Sequence, residues 1–253
     1  MFAPINRYLL QGVVKCGVIE VINKKLKIMR IRYATFSEIG RRYANQDVFR
    51  VEQISEGDAT LMVVCDGMGG HAMGDVAAET VCNAVFDNWR RVSDDNMEDK
   101  IVEICRIVSK IFDERVVSMN YIQMGTTFVM AYIKDDVATI AHIGDSRCYL
   151  LRGGDVVYQT KDHVGVENGR EGISKCFFSY RPDVAVPDVA QFKLQLGDRI
   201  FLCTDGVYRS MAPLILTKRL SDDKPLEEVT DVIKFMCEKF STDNYTAILA
   251  EII

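Results

Sequence analysis

Aspartates stand at the ends of apolar runs in this chain, and few folds tolerate that arrangement. Asp66 closes Leu61-Met62-Val63-Val64-Cys65, Asp145 follows Ile140-Ala141-His142-Ile143-Gly144, and Asp205 follows Phe201-Leu202-Cys203-Thr204. Asp47 opens the segment 48–51, and Asp243 precedes the last apolar run. Burying an unpaired carboxylate is expensive, so a chain that does so repeatedly supplies cations to balance the charge. The candidate ligands are all oxygen. Three histidines, His71, His142 and His163, are scattered, and the eight cysteines include no CxxC pair. That argues against a structural zinc site and points to Mg²⁺ or Mn²⁺. One Asp-Gly alone reads as a turn. Asp66-Gly67 and Asp205-Gly206 gain weight by occurring together at strand ends, where glycine lets backbone come close and the Gly67 carbonyl is itself a candidate ligand.

Around these aspartates the hydrophobic period separates strands from helices. Strands are expected over 30–36, 59–65, 126–133, 137–143, 148–152, 156–159, 199–204 and 245–253. The Lys134-Asp135-Asp136 and Gly153-Gly154-Asp155 turns read as hairpins. Apolar residues at i, i+3, i+4 spacing predict helices from Val76 to Trp89, from Ile101 to Met119 and from Leu226 to Phe240, with Pro225 at the start of the last. Helices come in runs apart from the runs of strands, which predicts an α+β layered domain and not βαβ winding.

Composition narrows the class. Of 253 residues 48% are hydrophobic, enough to bury a sizeable core. A net charge of −5 gives no basic footprint for nucleic acid. The cysteines fall mostly at apolar positions and read as reduced core residues, which points to the cytoplasm. Residues 1–28 read as an N-terminal extension outside the catalytic fold. The apolar stretch 8–22 is interrupted by Lys15 and Glu20, too short and too charged for a membrane span, and it lacks the order of a signal peptide.

Two divalent cations held together suit phosphate chemistry. They lower the pKa of a water shared between them, attract a phosphate monoester carrying close to two negative charges, and stabilise the leaving alkoxide. An arginine should orient the phosphate oxygens through its planar fork. Arg42, just upstream of Asp47, is the candidate, with Arg41 the less favoured substitute.

Seven segments in order resemble the metal-dependent protein phosphatase family, type 2C, in its compact bacterial form. They are Arg42-Tyr43-Ala44-Asn45-Gln46-Asp47, Val64-Cys65-Asp66-Gly67-Met68-Gly69-Gly70-His71, Gly125-Thr126-Thr127, Ala141-His142-Ile143-Gly144-Asp145-Ser146-Arg147, Thr160-Lys161-Asp162-His163, Leu202-Cys203-Thr204-Asp205-Gly206 and Asp243-Asn244-Tyr245-Thr246. Each is weak alone; in order over residues 29–253 they are specific. The resemblance implies a four-layer α-β-β-α sandwich of two antiparallel sheets flanked by helices, with metals in a cleft at one edge. It implies hydrolysis of phosphoserine and phosphothreonine in proteins opposed by a Ser/Thr kinase, by attack of a water or hydroxide shared between two metals. It gives Asp66 a bridging role, with the Gly67 carbonyl, Asp47, Asp205 and Asp243 completing two Mn²⁺ or Mg²⁺ sites. Asp145 with Asp205 would hold a weaker third metal, Arg42 would bind phosphate, and Asn244 would support the cleft. A monomer is expected.

Three departures from the family stand out. Met68 occupies the place of a histidine proposed as general acid in eukaryotic members, which leaves the proton donor open between a metal-held water, the favoured candidate, and His71. Val164 replaces a serine that often follows Asp-His. The stretch 164–196 is short, so that residues 164–173 read as the remnant of a flap. The trimmed flap is the one feature that favours the runner-up reading, a non-catalytic relative that binds phosphoproteins as a regulatory partner. A generic two-metal hydrolase of small phosphates or nucleic acid is the third reading, and the missing basic patch counts against nucleic acid.

Overall fold

The computed structural model describes residues 15–21, 29–54, 59–68, 73–93, 95–167 and 169–253. Two antiparallel sheets stack face to face. One runs β1 (Lys15–Val21), β2 (Met29–Glu38), then β15 (Tyr245–Ile252), β14 (Arg199–Cys203), β8 (Arg147–Arg152) and β9 (Asp155–Gln159) across its width. The other runs β13 (Asp188–Lys193), β7 (Val137–Ile143), β6 (Phe128–Lys134), β4 (Ala59–Asp66) and β3 (Asp47–Ile54). Helices α1 (Gly74–Trp89) and α2 (Met97–Ser118) cover the second sheet. Helices α3 (Asp205–Tyr208), α4 (Pro213–Leu220) and α5 (Leu226–Phe240) cover the first. The result is the expected α-β-β-α sandwich.

Four layers explain why the central strands are apolar without alternation. Antiparallel strands with one wet face alternate, but here both faces are covered. On β4, Leu61, Val63 and Cys65 pack toward α1 and α2 while Met62 and Val64 enter the core between the sheets. On β14, Ile200 and Leu202 face the inter-sheet core while Phe201 and Cys203 face α5. Period two is kept, with both faces filled by hydrophobes. Cys65, Cys82, Cys105, Cys148, Cys176, Cys203 and Cys237 are free thiols, all buried, and burial pushes the Cys105 thiol up to about 12.

The expectation that residues 1–28 lie outside the fold is corrected in part. Strand β1 pairs with β2 over its whole length, Lys15 opposite Thr35 and Val21 opposite Met29, and so extends the first sheet by an edge strand. The physical reason is that β2 offers an open row of backbone donors and acceptors, which any extended segment satisfies whatever its side chains. Residues 1–14 and 22–28 lie outside the described residues. Among the described residues no helix is long and apolar enough to cross a membrane.

The stretch read as a trimmed flap is a two-stranded ribbon of β10 (Val164–Glu167) and β11 (Arg170–Ile173). A short strand β12 (Phe177–Phe178) pairs with β5 (Gly125–Thr126) beyond it.

Candidate metal centre

The aspartates at the strand ends meet at one end of the sandwich. In the β3–β4 pair, Asp47 lies directly opposite Asp66, which places their Cβ atoms about 5 Å apart on one face. Asp205 caps the end of β14 as the first residue of α3, and Asp243 stands two residues before β15, the neighbour of β14. Asp145 lies in the turn from β7 to β8. The charge on Asp66 is opposed by Asp47, Asp205, Asp145 and Asp243. Five carboxylates far apart in the chain therefore share one cleft.

Their electrostatics follow. Burial first, then the neighbouring carboxylates, push Asp66 well above the usual carboxylate range. Burial raises Asp47 to about 7, against the hydrogen bonds it accepts and with the charges of Asp205 and Asp243 adding to the shift. Asp145 is raised to about 6, by burial and then by Asp205. Asp205 is raised for the same first reason, burial, with Asp243 adding to it. A set of hard oxygen donors whose charged forms are this unfavourable without a counter-charge fits divalent cations of the Mg²⁺ and Mn²⁺ kind.

Backbone and hydroxyl contacts hold the carboxylates in place. The Asp66 carbonyl accepts from Thr127 N–H at 2.9 Å and Thr126 Oγ1 at 2.9 Å, and the Asp66 N–H donates to Thr127 Oγ1 at 3.1 Å. Thr127 Oγ1 also meets Ser146 Oγ at 2.7 Å, which ties the Asp66 strand to the Asp145 turn. Thr204 joins the two sheets: its Oγ1 donates to Asp47 Oδ2 at 2.9 Å and accepts from Thr246 N–H at 3.1 Å.

The Asp-Gly pairs have a steric reason. A Cβ on Gly67 would stand 2.1 Å from the Gly74 carbonyl oxygen and 2.7 Å from that of Gln46. A Cβ on Gly206 would stand 1.9 Å from the Asn244 carbonyl oxygen. Only glycine allows the backbones flanking the cleft to come this close.

Arg42 and Asn244 sit where the cleft opens. Arg42 Nη2 donates to Asp243 Oδ2 at 2.6 Å, and the guanidinium is 45% exposed, free to meet a ligand from solvent. Asn244 is buried and staples the loop that carries Arg42. Its Oδ1 accepts from Gln46 N–H at 3.0 Å, and its Nδ2 donates to the carbonyls of Ile39 at 2.7 Å and Ala44 at 2.9 Å. Arg41 turns away and donates to the Lys239 carbonyl. Met68 is held by its backbone, N–H to the Gly125 carbonyl at 3.0 Å. His71 lies outside the described residues.

Several contributors escape sequence reasoning. Arg209, at the end of α3, bridges Asp145 (3.0 Å) and Asp205 (3.3 Å). Its i, i+4 spacing from Asp205 was the available signal; its reach to Asp145 had none. His142 and His163 stack with ring centroids 4.4 Å apart and lie near Asp188. His142 Nε2 faces the Lys161 carbonyl at 2.8 Å and so donates. His163 Nδ1 faces the Gly144 N–H at 3.1 Å and so accepts, which leaves its proton on Nε2, toward Asp188. Burial holds the His142 imidazole below its ordinary pKa. The ligand atoms of His142, His163 and Asp188 lie within 4.8 Å of one another. Through the Gly144 N–H, the stacked histidine pair buttresses the turn that presents Asp145.

The chain matches the family described as "Protein phosphatase 2C" over residues 37–253. It is 27% identical over 233 residues to the serine/threonine phosphatase stp of Listeria monocytogenes, covering 83% of this chain and 91% of that one. It is 25% identical over 232 residues to the protein phosphatase PhpP of Streptococcus pneumoniae, covering 84% and 94%. The crystal structure of the catalytic domain of the serine/threonine protein phosphatase PstP in complex with 2 manganese ions superposes with a TM-score of 0.73 at 25% identity, over 89% of this chain and 99% of that one.

Proposed function

The chain belongs to the protein phosphatase 2C family, and on that premise we propose that it removes phosphate from phosphoserine and phosphothreonine in proteins at the aspartate cleft. The observation that carries this reading is the convergence of Asp47, Asp66, Asp205 and Asp243, from separate strand ends, on one cleft where burial and mutual repulsion disfavour the charged forms of Asp47, Asp66 and Asp205. Asp66, which faces the other carboxylates, would hold Mn²⁺ or Mg²⁺ together with Asp47, Asp205, Asp243 and the Gly67 carbonyl. Bound there, the ions supply Lewis acidity and an activated water.

The protein's own residues supply the rest. Arg42, exposed and already paired with one carboxylate of the site, offers a fork for two phosphate oxygens. Asn244 keeps that arginine over the cleft by holding residues 39–46. Thr204 and the Thr126–Thr127 pair fix the carboxylate positions before a ligand arrives. Nothing observed favours the inactive alternative, since each carboxylate that the family resemblance assigns to metal is present in the cluster. A kinase of the Ser/Thr class is the opposing activity that such substrates require. Buried free thiols support a reducing, cytoplasmic setting.

The test is release of inorganic phosphate from a phosphothreonine peptide. The reading expects hydrolysis with Mn²⁺, loss in EDTA, and a fall of several orders of magnitude in Asp205→Asn. Wild-type rates in that variant overturn the site assignment.

A further inference from the structure

We propose that the Arg209 guanidinium is a built-in cation that takes the place of a third metal ion between Asp145 and Asp205. The inference rests on the metal-cluster reading above and changes its ion count.

The geometry is that of a counter-ion. Nη2 lies 3.0 Å from Asp145 Oδ2 and Nη1 lies 3.3 Å from Asp205 Oδ2, so one fork spans two carboxylates from different elements. The Asp145 side chain is only 4% exposed, and among the described residues Arg209 is the cation paired with it. A Mg²⁺ ion at this position would need oxygens at about 2.1 Å, and it would stand within a few ångströms of a positive charge already bonded to the same atoms. The ion would compete with that guanidinium for the same carboxylate oxygens, and the repulsion between the two charges weakens its binding.

The backbone of Arg209 is anchored, while its side chain is 61% exposed. Its N–H donates to the Asp205 carbonyl at 2.9 Å, closing the turn of α3. A side chain four residues beyond Asp205 leans back toward the start of its helix, which directs the guanidinium over that carboxylate. Tyr208 lines the same spot, with Arg147 stacked on its ring at 3.5 Å and Arg209 5.9 Å from the ring centroid.

Charge balance agrees. Asp47, Asp66, Asp145, Asp205 and Asp243 against Arg42 and Arg209 leave three negative charges uncompensated, which two divalent cations cover. A substrate phosphate near two negative charges then meets a slightly positive cleft. A further divalent ion has no carboxylate left to neutralise. Asp145, which the family resemblance assigned to a metal, is in this chain a partner for the Arg209 guanidinium.

The experiment counts Mn²⁺ bound per chain by equilibrium dialysis into the millimolar range, with free Mn²⁺ read by electron paramagnetic resonance. The proteins are wild type, R209K, R209A, R209D and R209D/D145N, each checked for a cooperative thermal transition. Wild type and R209K are expected to bind the same number of ions, since lysine keeps the charge. R209A and R209D are expected to bind one more, tighter in R209D, and D145N is expected to remove that extra ion. A purely structural role for Arg209 would alter melting without altering the count. An extra ion on wild type at Asp145, or the wild-type count in R209D, overturns the inference and leaves the phosphatase reading standing. No ion on the wild type overturns both.

Discussion

Replacing Asp47 by asparagine is expected to stabilise the metal-free protein at neutral pH. Folding raises this carboxyl from 3.8 to about 7, with burial as the largest cause. Because the pKa is raised, the group's favourable contribution is complete below about pH 4 and is lost as pH rises through about 7. A rise of about three units corresponds to a penalty on the order of 4 kcal/mol once the charge is carried in the fold, at 1.36 kcal/mol per unit. Asparagine removes that penalty while keeping a side-chain oxygen for the Thr204 hydroxyl; weakening that bond from a charged to a neutral acceptor costs about 1 kcal/mol. The net gain at pH 8 is about 3 kcal/mol, or roughly 6–12 °C in Tm for a chain of this size. The assay is thermal melting in EDTA from pH 5 to pH 8, wild type against Asp47→Asn. The two curves should converge at the acid end and separate as pH rises. Addition of Mn²⁺ should reverse the order, because ligand at about a thousand times its Kd adds about 4.1 kcal/mol to the protein that binds it. A variant less stable than wild type by the same margin at every pH refutes the reasoning: Asp47 would then be an ordinary paired carboxylate and not part of a strained cluster.

Other substitutions test the scaffold of the cleft. Arg42→Ala should lower kcat/KM on a phosphopeptide by about 10–150-fold, the loss of one charged hydrogen-bonding group worth 1.5–3 kcal/mol, with Arg42→Lys recovering part because it lacks the fork; unchanged kcat/KM excludes a role in phosphate binding. Thr204→Val keeps shape but leaves Asp47 Oδ2 and the Thr246 N–H without their shared partner, and should cost about 2–4 kcal/mol in denaturant unfolding; an unchanged midpoint contradicts the cross-sheet link. Gly206→Ala sets a Cβ against the Asn244 carbonyl oxygen and should weaken Mn²⁺ binding measured by calorimetry, whereas Gly153→Ala, with φ +60 but open space around it, should cost only about 1–2 kcal/mol of stability and leave binding intact. Equal effects on binding at the two glycines would remove the steric argument.

Where the structure agrees with the sequence, and where it does not, has a physical pattern. Strands β4, β6, β7, β14 and β15 are legible because both of their faces are filled, so their apolar runs are long and end abruptly at aspartates. Helices α1, α2 and α5 are legible because one stripe of each is dry. Strand β13 is not: Asp188-Val189-Ala190-Gln191-Phe192-Lys193 is a half-exposed edge strand whose place is set by backbone pairing with β7 and not by its own pattern. The same holds for β1, paired with β2. Helix α4 is short and buries only Leu216 and Leu220, too little to make a period. At the site, the aspartates were visible from their position in the sequence. The groups that place them were not, because their contacts cross long separations: Thr204 to Asp47, Arg209 to Asp145, Asn244 to Ala44. A threonine after a strand or an arginine after Asp-Gly carries no local mark of its distant partner.

The central claim, that these carboxylates gather to hold divalent ions, is tested most directly by anomalous diffraction from crystals grown with Mn²⁺ and recorded at the manganese edge. The account predicts two strong peaks on either side of the Asp66 carboxylate, one or both within reach of Asp47, Asp205 and Asp243, and none between Asp145 and Arg209. No peak at Asp66, or manganese bound only at other surface acids, contradicts it.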